Sequence, residues 1–137
     1  MSKIMGIDYG LKRIGVAMTD IMRTMAIPFD SVISLSLKKN ASRILEIAKN
    51  NDVSIIVFGL PINMNGSEGK MVSTVYDLIE IIKSISANIK VITVDERLTT
   101  VQAEKILVNY VPRKKRKNLK DKIAATLILQ TYLDMCN

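Results

Sequence analysis

Three short runs of mostly apolar residues open the chain, and the links between them are too short to hold a helix. They cover residues 3–8, 13–19 and 24–34, and the third contains Pro28. Apolar runs of this length between turn residues are typical of β-strands, and short links join antiparallel neighbours. We therefore predict three antiparallel strands. Pro28 places the third strand at an edge or at a bulge, because proline cannot donate a ladder hydrogen bond.

Helical spacing then begins and alternates with apolar runs. Residues 38–50 and 69–85 each place apolar side chains on one stripe, which predicts two amphipathic helices. Residues 54–58, SIIVF, and residues 90–95, KVITVD, are too apolar for strands with a solvated face. We predict that these two strands are buried, with helices covering both faces of the sheet.

Two further helices are predicted in the last third of the chain, with a basic segment between them. Thr99 and Gln102 have the spacing of a capping box, which favours a helix through Tyr110. Pro112 ends it, and the segment RKKRKNLK that follows is expected to be a mobile loop because its charge density resists packing. The final helix is predicted over residues 119–133.

This order of elements specifies a fold class. It predicts an α/β protein with a mixed five-stranded sheet, in which three antiparallel strands are followed by two parallel ones, and helices lie on both faces. Neither an internal repeat nor a low-complexity linker interrupts the sequence. Residues 1–137 are therefore predicted to form a single domain, which at this length needs no disulfide or structural metal.

Composition narrows the function classes by what the sequence lacks. There is no histidine, which excludes catalysis by an imidazole base, and the single cysteine, Cys136, cannot build a four-cysteine zinc site. The apolar runs are far shorter than the roughly 18 residues of a membrane span, and the start lacks a signal-peptide core. A cytoplasmic protein without a membrane partner is expected. Any enzymatic chemistry must use carboxylates, lysines or a carboxylate-bound cation.

The formal net charge of +7 favours an anionic partner such as nucleic acid. Much of the excess is concentrated in the basic segment, at Arg113, Lys114, Lys115, Arg116 and Lys117. Clustered cations gain from counterion release, so these five residues are predicted to contact phosphates. The alternative is a solvated loop without a partner. Aromatic residues are only 4% of the chain, which argues against a base-stacking platform.

Acidic residues stand where predicted strands end and where the last helix begins. Asp8 ends the first strand, Asp95 and Glu96 end the last strand, and Asp121 opens the final helix. Each alone commonly caps a turn or a helix, but sites in open α/β sheets form outside the carboxyl ends of the strands. Converging carboxylates repel one another unless a hard cation neutralises them. We predict that these four acids are catalytic, with Mg²⁺ or Mn²⁺ as the cofactor.

Four segments taken together resemble the YqgF/RuvX family. They are MGIDYGLKRIGVA at 5–17, GLPINMNG at 59–66, VDERLTT at 94–100 and KDKIAATLILQ at 120–130. The resemblance extends over essentially the whole chain, to a family of pre-16S ribosomal RNA nucleases related to the RuvC Holliday-junction resolvases. It implies the ribonuclease-H-like fold. It also implies a metal-dependent nuclease that processes the 5′ end of pre-16S ribosomal RNA in ribosome biogenesis, with RNA and the ribosomal precursor as partners.

Carried over by motif, the resemblance implies metal ligands at Asp8, Asp121 and one residue of the pair Asp95 and Glu96. Side chains alternate along a strand, so both members of the pair cannot readily reach one metal unless the chain turns between them. Alternation does not decide which of the two binds, and Glu96 is named here as the metal ligand. Other residues of the motifs and their neighbours are predicted to contact nucleic acid; they are Arg13, Asn63 and Arg97. For Arg97, pairing with a neighbouring acid is the alternative.

Other functions remain open at this point. Resolvases carry an acid after the fourth strand and extra acids in the last helix, which this sequence lacks, so a simpler nuclease is favoured over a Holliday-junction or branched-DNA resolvase. A non-catalytic RNA-binding ribosome assembly factor would need only the basic segment. An ATP-binding fragment of the actin and sugar-kinase type would need a second domain. The sequence does not distinguish a monomer from a homodimer.

Overall fold

The computed structural model describes residues 2–63, 65–96 and 113–136, and for residues 113–120 it describes the backbone alone. Within these ranges the chain forms five strands and three helices. In chain order they are β1 (Lys3–Tyr9), β2 (Arg13–Thr19), β3 (Ala26–Ile33), α1 (Leu37–Asn50), β4 (Val53–Leu60), α2 (Lys70–Ile85), β5 (Lys90–Asp95) and α3 (Arg113–Cys136).

The strands form one mixed sheet in the order β3-β2-β1-β4-β5. β1 pairs antiparallel with β2, and β2 pairs antiparallel with β3, whereas β1–β4 and β4–β5 are parallel. The predicted mixed sheet is therefore confirmed. β3 is an edge strand, and its register with β2 shifts between Val16 and Ala17, beside Pro28. The proline thus lies where a strand tolerates a missing donor.

Helices cover both faces of the sheet, as predicted. α1 and α2 pack on one face over the larger core, in which Met5, Ile7, Ile56 and Phe58 are fully buried. α3 packs on the other face, over a smaller core that includes Val57. β4 is therefore covered on both sides, which explains why residues 54–58 are almost wholly apolar.

β5 departs from its prediction. It lies at the second edge of the sheet, and Val94 is its only buried residue. Val91 and Ile92 are half-buried and Thr93 is exposed. The prediction that this strand is buried was therefore wrong, because an apolar run cannot by itself distinguish a central strand from an edge strand.

α3 lies unusually close to the sheet because glycines face it. A Cβ added to Gly6 would lie 2.7 Å from the Cβ of Leu129 and 2.8 Å from the carbonyl oxygen of Ala125. A Cβ added to Gly15 would overlap the backbone carbonyl of Asp121. Glycine in a strand commonly marks such a close backbone approach. These contacts fix the position of Asp121 over β2.

The basic segment is helical, so its prediction as a mobile loop was wrong. α3 begins at Arg113 and includes Arg113 to Lys117 in its first turns. Lysine and arginine are good helix formers, and a proline in the sequence just before a helix agrees with the start of that helix. The helix predicted from Thr99 to Tyr110 lies outside the described residues. Among the described helices, none is long and apolar enough to cross a membrane.

Candidate active site

Asp8 lies near the carboxyl end of β1 and faces α3. Its neighbours Ile7 and Tyr9 are buried in the larger core, and Gly6 lies directly beneath α3. Because side chains alternate along a strand, Asp8 shares the face of Gly6. Asp8 is half-buried, so the first strand brings one carboxylate to the rim of the smaller core.

Two glycines flank Asp8 on the neighbouring strands. Gly15 of β2 is its direct partner, and Gly59 of β4 follows Phe58, which pairs with Ile7. Both glycines face α3, because added Cβ atoms would contact that helix. In the row from Gly15 through Asp8 to Gly59, Asp8 therefore contributes the one side chain, while the backbone of Asp121 lies against Gly15 and the side chain of Ile128 lies against Gly59.

Glu96 and Asp121 border this row from opposite sides. A Cβ added to Gly59 would lie 3.5 Å from Oε2 of Glu96, and one added to Gly15 would lie 3.0 Å from the Cβ of Asp121. Neighbouring strands are about 4.8 Å apart, so the row spans roughly 10 Å. Three carboxylates predicted to act together thus border one short row of the sheet.

Asp95 faces the other side of the sheet. It pairs with Leu60, whose side chain is buried in the larger core, and paired residues of parallel strands point to the same face. Val94, by contrast, packs in the smaller core with α3. Asp95 therefore lies on the side away from Asp8, whereas Glu96, the residue after β5, places its Oε2 near Gly59 on the side of Asp8.

Arg13 occupies the β2 side of the site. Its Nε lies 3.8 Å from Oδ2 of Asp121, with the two side chains 39% and 28% exposed. The same guanidinium donates to Oγ of Ser31 at 2.9 Å and to its carbonyl oxygen at 3.1 Å. Ser31 Oγ in turn donates to Oδ2 of Asp121 at 3.5 Å. A partly exposed pair of this kind contributes about 0–1 kcal/mol, so its importance is positional.

The acids border one space without forming a closed cluster. Among the described residues, no three carboxylates or thiols come close enough together to form a metal-binding group. The Asp121 carboxylate is turned toward Arg13 and Ser31, on the side away from Glu96. Bringing Asp121 to the other two acids would require its side chain to leave Arg13.

The remaining predicted contacts are distributed differently. Asn63 belongs to a turn, in which its Nδ2 donates to Ser67 Oγ at 3.0 Å and its carbonyl accepts from Gly66 N at 2.8 Å. Gly66 has a φ of 86°, a conformation that favours glycine. Arg97 and the side chains of residues 113–117 lie outside the described part. Sequence reasoning missed Ser31, because only the β2–β3 register places it beside Asp121.

Comparison with known proteins identifies the relatives of this chain. The RuvX family, described as Holliday junction resolvase, matches residues 2–135. A protein of Endomicrobium trichonymphae named "Putative pre-16S rRNA nuclease" is 65% identical over 137 residues, covering 98% of this chain and 97% of the relative. A protein of the same name from Thermoanaerobacter pseudethanolicus is 43% identical over 134 residues, covering 96% of each.

Solved structures agree on the fold. The fowlpox virus resolvase in complex with Holliday junction DNA matches with a TM-score of 0.64 at 15% identity, covering 98% of each chain. Thermus thermophilus RuvC with a Holliday junction substrate matches with a TM-score of 0.59 at 15% identity, covering 98% of this chain and 96% of RuvC. These likenesses confirm the predicted ribonuclease-H-like fold. Together with the family match and the close relatives, they establish that the chain belongs to the RuvX family.

Proposed function

We propose that this protein is a divalent-metal-dependent nuclease that hydrolyses phosphodiester bonds in the precursor of 16S ribosomal RNA. The observation that supports the proposal is the placement of Asp8, Glu96 and Asp121 along the Gly15–Asp8–Gly59 row. The relatives named for pre-16S rRNA support the choice of substrate. The proposed setting is the cytoplasm, with a ribosomal precursor as the partner.

The donor set fits Mg²⁺ or Mn²⁺. Carboxylate oxygens are the ligands that these cations prefer, and Oε2 of Glu96 lies 3.5 Å from the Cβ position of Gly59, on the strand next to Asp8. Asp8 and Glu96 would hold the cation, with Asp121 joining them after its side chain turns from Arg13. A bound cation of this type activates a water and stabilises the charge that develops on the phosphate.

The side chains of this protein would then divide the remaining work. The reacting phosphate would be positioned by the three acids, of which Asp8 and Glu96 are held by the sheet and Asp121 by α3. Arg13 neutralises Asp121 when no substrate is present and is close enough to contact a phosphate oxygen once Asp121 turns away. Ser31 accepts two hydrogen bonds from the Arg13 guanidinium, and these bonds hold the guanidinium at the edge of the site.

A resolvase acting on branched DNA is the second candidate, because the family description names that activity. The chain offers it less support, since the positions after Asp121 in α3 carry Lys122, Ala124 and Ala125, and the next acid is Asp134. A non-catalytic assembly factor is the third candidate. It would leave the arrangement of acids around Asp8 without a role.

One experiment separates the three. The protein is incubated with precursor 16S RNA and with a four-way DNA junction, each in Mg²⁺, Mn²⁺ or EDTA. Asp8→Asn is the test variant, and Asp77→Asn, the same chemical change on the exposed face of α2, is the matched control. We expect RNA cleavage that requires metal, is lost in Asp8→Asn and is retained in Asp77→Asn. Cleavage of the junction alone would favour the resolvase, and binding without cleavage would favour the assembly factor.

A further inference from the structure

A grooved surface lies along the outer edge of the sheet, from Arg13 to the start of α1. It consists of two adjoining cavities, of about 500 Å³ beside β3 and about 350 Å³ beside α1. Both cavities are lined by Ile33, Leu35 and Arg43, so that they lie side by side. We refer to this feature as the edge groove.

The edge groove is basic and leads to the acids. Arg13 lines one end of it, and its Nε lies 3.8 Å from Asp121 Oδ2. Lys38 and Lys39 line the other end, both exposed in the first turn of α1. With Arg43, the groove has four cationic side chains, against the two carboxylates of Asp30 and Glu46. An anionic polymer that follows the groove would reach the candidate active site.

Apolar surface alternates with these charges. Ile33 is 67% exposed and Leu35 is 61% exposed, and both lie between Arg13 and the lysines of α1. A nucleic-acid strand with unpaired bases presents both phosphates and the apolar faces of its bases and sugars, whereas a duplex presents mainly phosphates. The mixed character of the groove therefore fits a single strand better than a duplex.

The wall of the groove is fixed before any ligand arrives. Asn40, only 1% exposed, accepts from the backbone N–H of Leu35 at 2.8 Å and donates to Ser34 Oγ at 3.1 Å. Its Nδ2 also donates to the hydroxyl of Tyr9 at 2.7 Å, which ties this turn to the residue after Asp8. A surface held in this way loses little conformational freedom on binding.

We propose that the edge groove binds the single-stranded segment of the nucleic-acid substrate that flanks the bond to be cut. Lys38, Lys39 and Arg43 contact its phosphates, and Ile33 and Leu35 contact the faces of its bases or sugars. Arg13 contacts the phosphate of the same strand that lies next to the acids. This inference rests on the proposed function, and it adds the path by which the substrate enters.

The test compares two triple variants with equal loss of charge. One is Lys38→Ala, Lys39→Ala and Arg43→Ala, in the groove. The matched control is Lys49→Ala, Lys83→Ala and Lys90→Ala, all exposed and located at the opposite end of the parallel strands. Binding of a fluorescein-labelled single-stranded oligouridylate is measured by anisotropy across a salt series in Ca²⁺.

We expect the groove variant to bind about 10-fold or more weakly than the native protein at low salt, with a log-log salt slope shallower by up to about 2, from roughly 0.7 per lost phosphate contact. The control should show less than half of either change. A 4-thiouridine version of the same RNA should crosslink to the peptide spanning residues 33–43. Equal losses in the two triple variants, crosslinks confined to other peptides, or tighter binding of a blunt duplex would each overturn the proposal.

The readouts keep this inference separate from the nuclease proposal. Anisotropy in Ca²⁺ measures binding whether or not the protein cleaves RNA, so an inactive protein with a clear difference between the triple variants would refute only the nuclease. A protein that cleaves RNA through Asp8 but binds equally well in both triple variants would refute only the groove. Circular dichroism should show both triple variants folded at the temperature of the binding assay, because all six side chains are exposed.

Discussion

Each end of the central sheet holds a half-buried arginine, and the two arginines have different partners. At the amino end of β1, Arg23 donates to the carbonyl and Oγ of Ser2, at 2.8 and 2.7 Å, and to Oγ of Ser54 at 3.1 Å. At the carboxyl end, Arg13 donates to Ser31 and faces the Asp121 carboxylate. At the amino end, the arginine is therefore bound by neutral oxygen acceptors. At the carboxyl end, it faces a carboxylate, and a charged ligand can compete for either member of that pair.

The acids at the two ends differ in the same way. Asp20, at the amino end, accepts from the backbone N–H of Thr24 at 2.7 Å and from that of Met25 at 3.1 Å, and also from the Thr24 hydroxyl. These bonds stabilise the turn in which Arg23 takes a φ of 57°, a conformation that costs about 1–2 kcal/mol. Asp20 thus serves the local turn, whereas Asp8, Glu96 and Asp121 come from distant elements to one row.

The largest expected effect separates Glu96 from Asp95 at the carboxyl end. Because only Glu96 lies on the side of Asp8, Glu96→Gln should lower single-turnover RNA cleavage by more than the roughly 100-fold seen for outer-shell changes at metal sites. Asp95→Asn should lower it by less than about 10-fold. Calorimetry of Mn²⁺ binding should show weaker affinity in the first variant alone. Near-total loss of cleavage in both would show that both acids reach the cation.

A second prediction concerns the glycines that flank Asp8. In Gly15→Ala the new methyl group would lie 2.5 Å from the carbonyl carbon of Asp121. Because this is a backbone atom, no side-chain rotation relieves the overlap, and α3 itself must move away from the sheet. We expect a loss of about 1–3 kcal/mol in the free energy of unfolding, together with reduced cleavage. In Gly59→Ala the methyl group meets mainly the flexible end of Ile128, and the loss should be smaller. Urea denaturation measures both, and equal losses would contradict the close approach of α3 at Gly15.

The two arginines provide a third test. Arg23→Gln should lower the free energy of unfolding by about 1–2 kcal/mol, because it removes charged donors from three part-buried acceptors, and should leave cleavage unchanged below the melting temperature. Arg13→Gln should lower the free energy of unfolding by a smaller amount, because two part-buried acceptors of Ser31 lose charged donors, together with a partly exposed ion pair worth about 0–1 kcal/mol. It should tighten Mn²⁺ binding, since a competing cation near Asp121 is removed, and weaken RNA binding. The reverse pattern would exchange the roles of the two ends.

The smallest effect belongs to Asp20. The Thr24 hydroxyl is the main cause that lowers the pKa of Asp20, and backbone donors from Met25 and Thr24 add to it. A lowered pKa contributes stability that is present above the unfolded value and is lost as the pH falls through the folded value. Thr24→Val should therefore raise the pKa of Asp20 toward its ordinary value and reduce the acid dependence of stability. Carboxyl NMR titration measures the shift, and an unchanged pKa would contradict the role of the hydroxyl.

Elements with strong local signals could be predicted from the sequence. β2 and β5 begin and end at the predicted residues, because apolar runs and turn residues bound them on both sides. The start of α3 was not predicted, because a run of like charges is typical of a solvated loop. In residues 113–117 the helix propensity of lysine and arginine outweighs that repulsion. The burial of β5 was overestimated, because strand order depends on contacts between distant segments.

The positions of the candidate acids in the fold could be predicted in part, while their role in catalysis stays a prediction. The rule that sites form at the carboxyl ends of strands brought together Asp8, Asp121 and the pair Asp95 and Glu96. The pairing of β4 with β5 was needed to place Asp95 on the face away from Asp8. The register of β2 with β3 was needed to place Ser31 beside Asp121. Long-range register of this kind is set by packing and leaves no periodic signal in the sequence.

The glycine-lined contact between the sheet and α3 has a consequence for how the protein is made. Asp8 lies in the first strand and Asp121 in the last described helix, so nearly the whole chain must be synthesised before the two can meet. Their meeting also requires α3 to settle against Gly6 and Gly15, a step that a nascent or misfolded chain cannot complete. The proposed ligand set is therefore absent from every incomplete form of the protein.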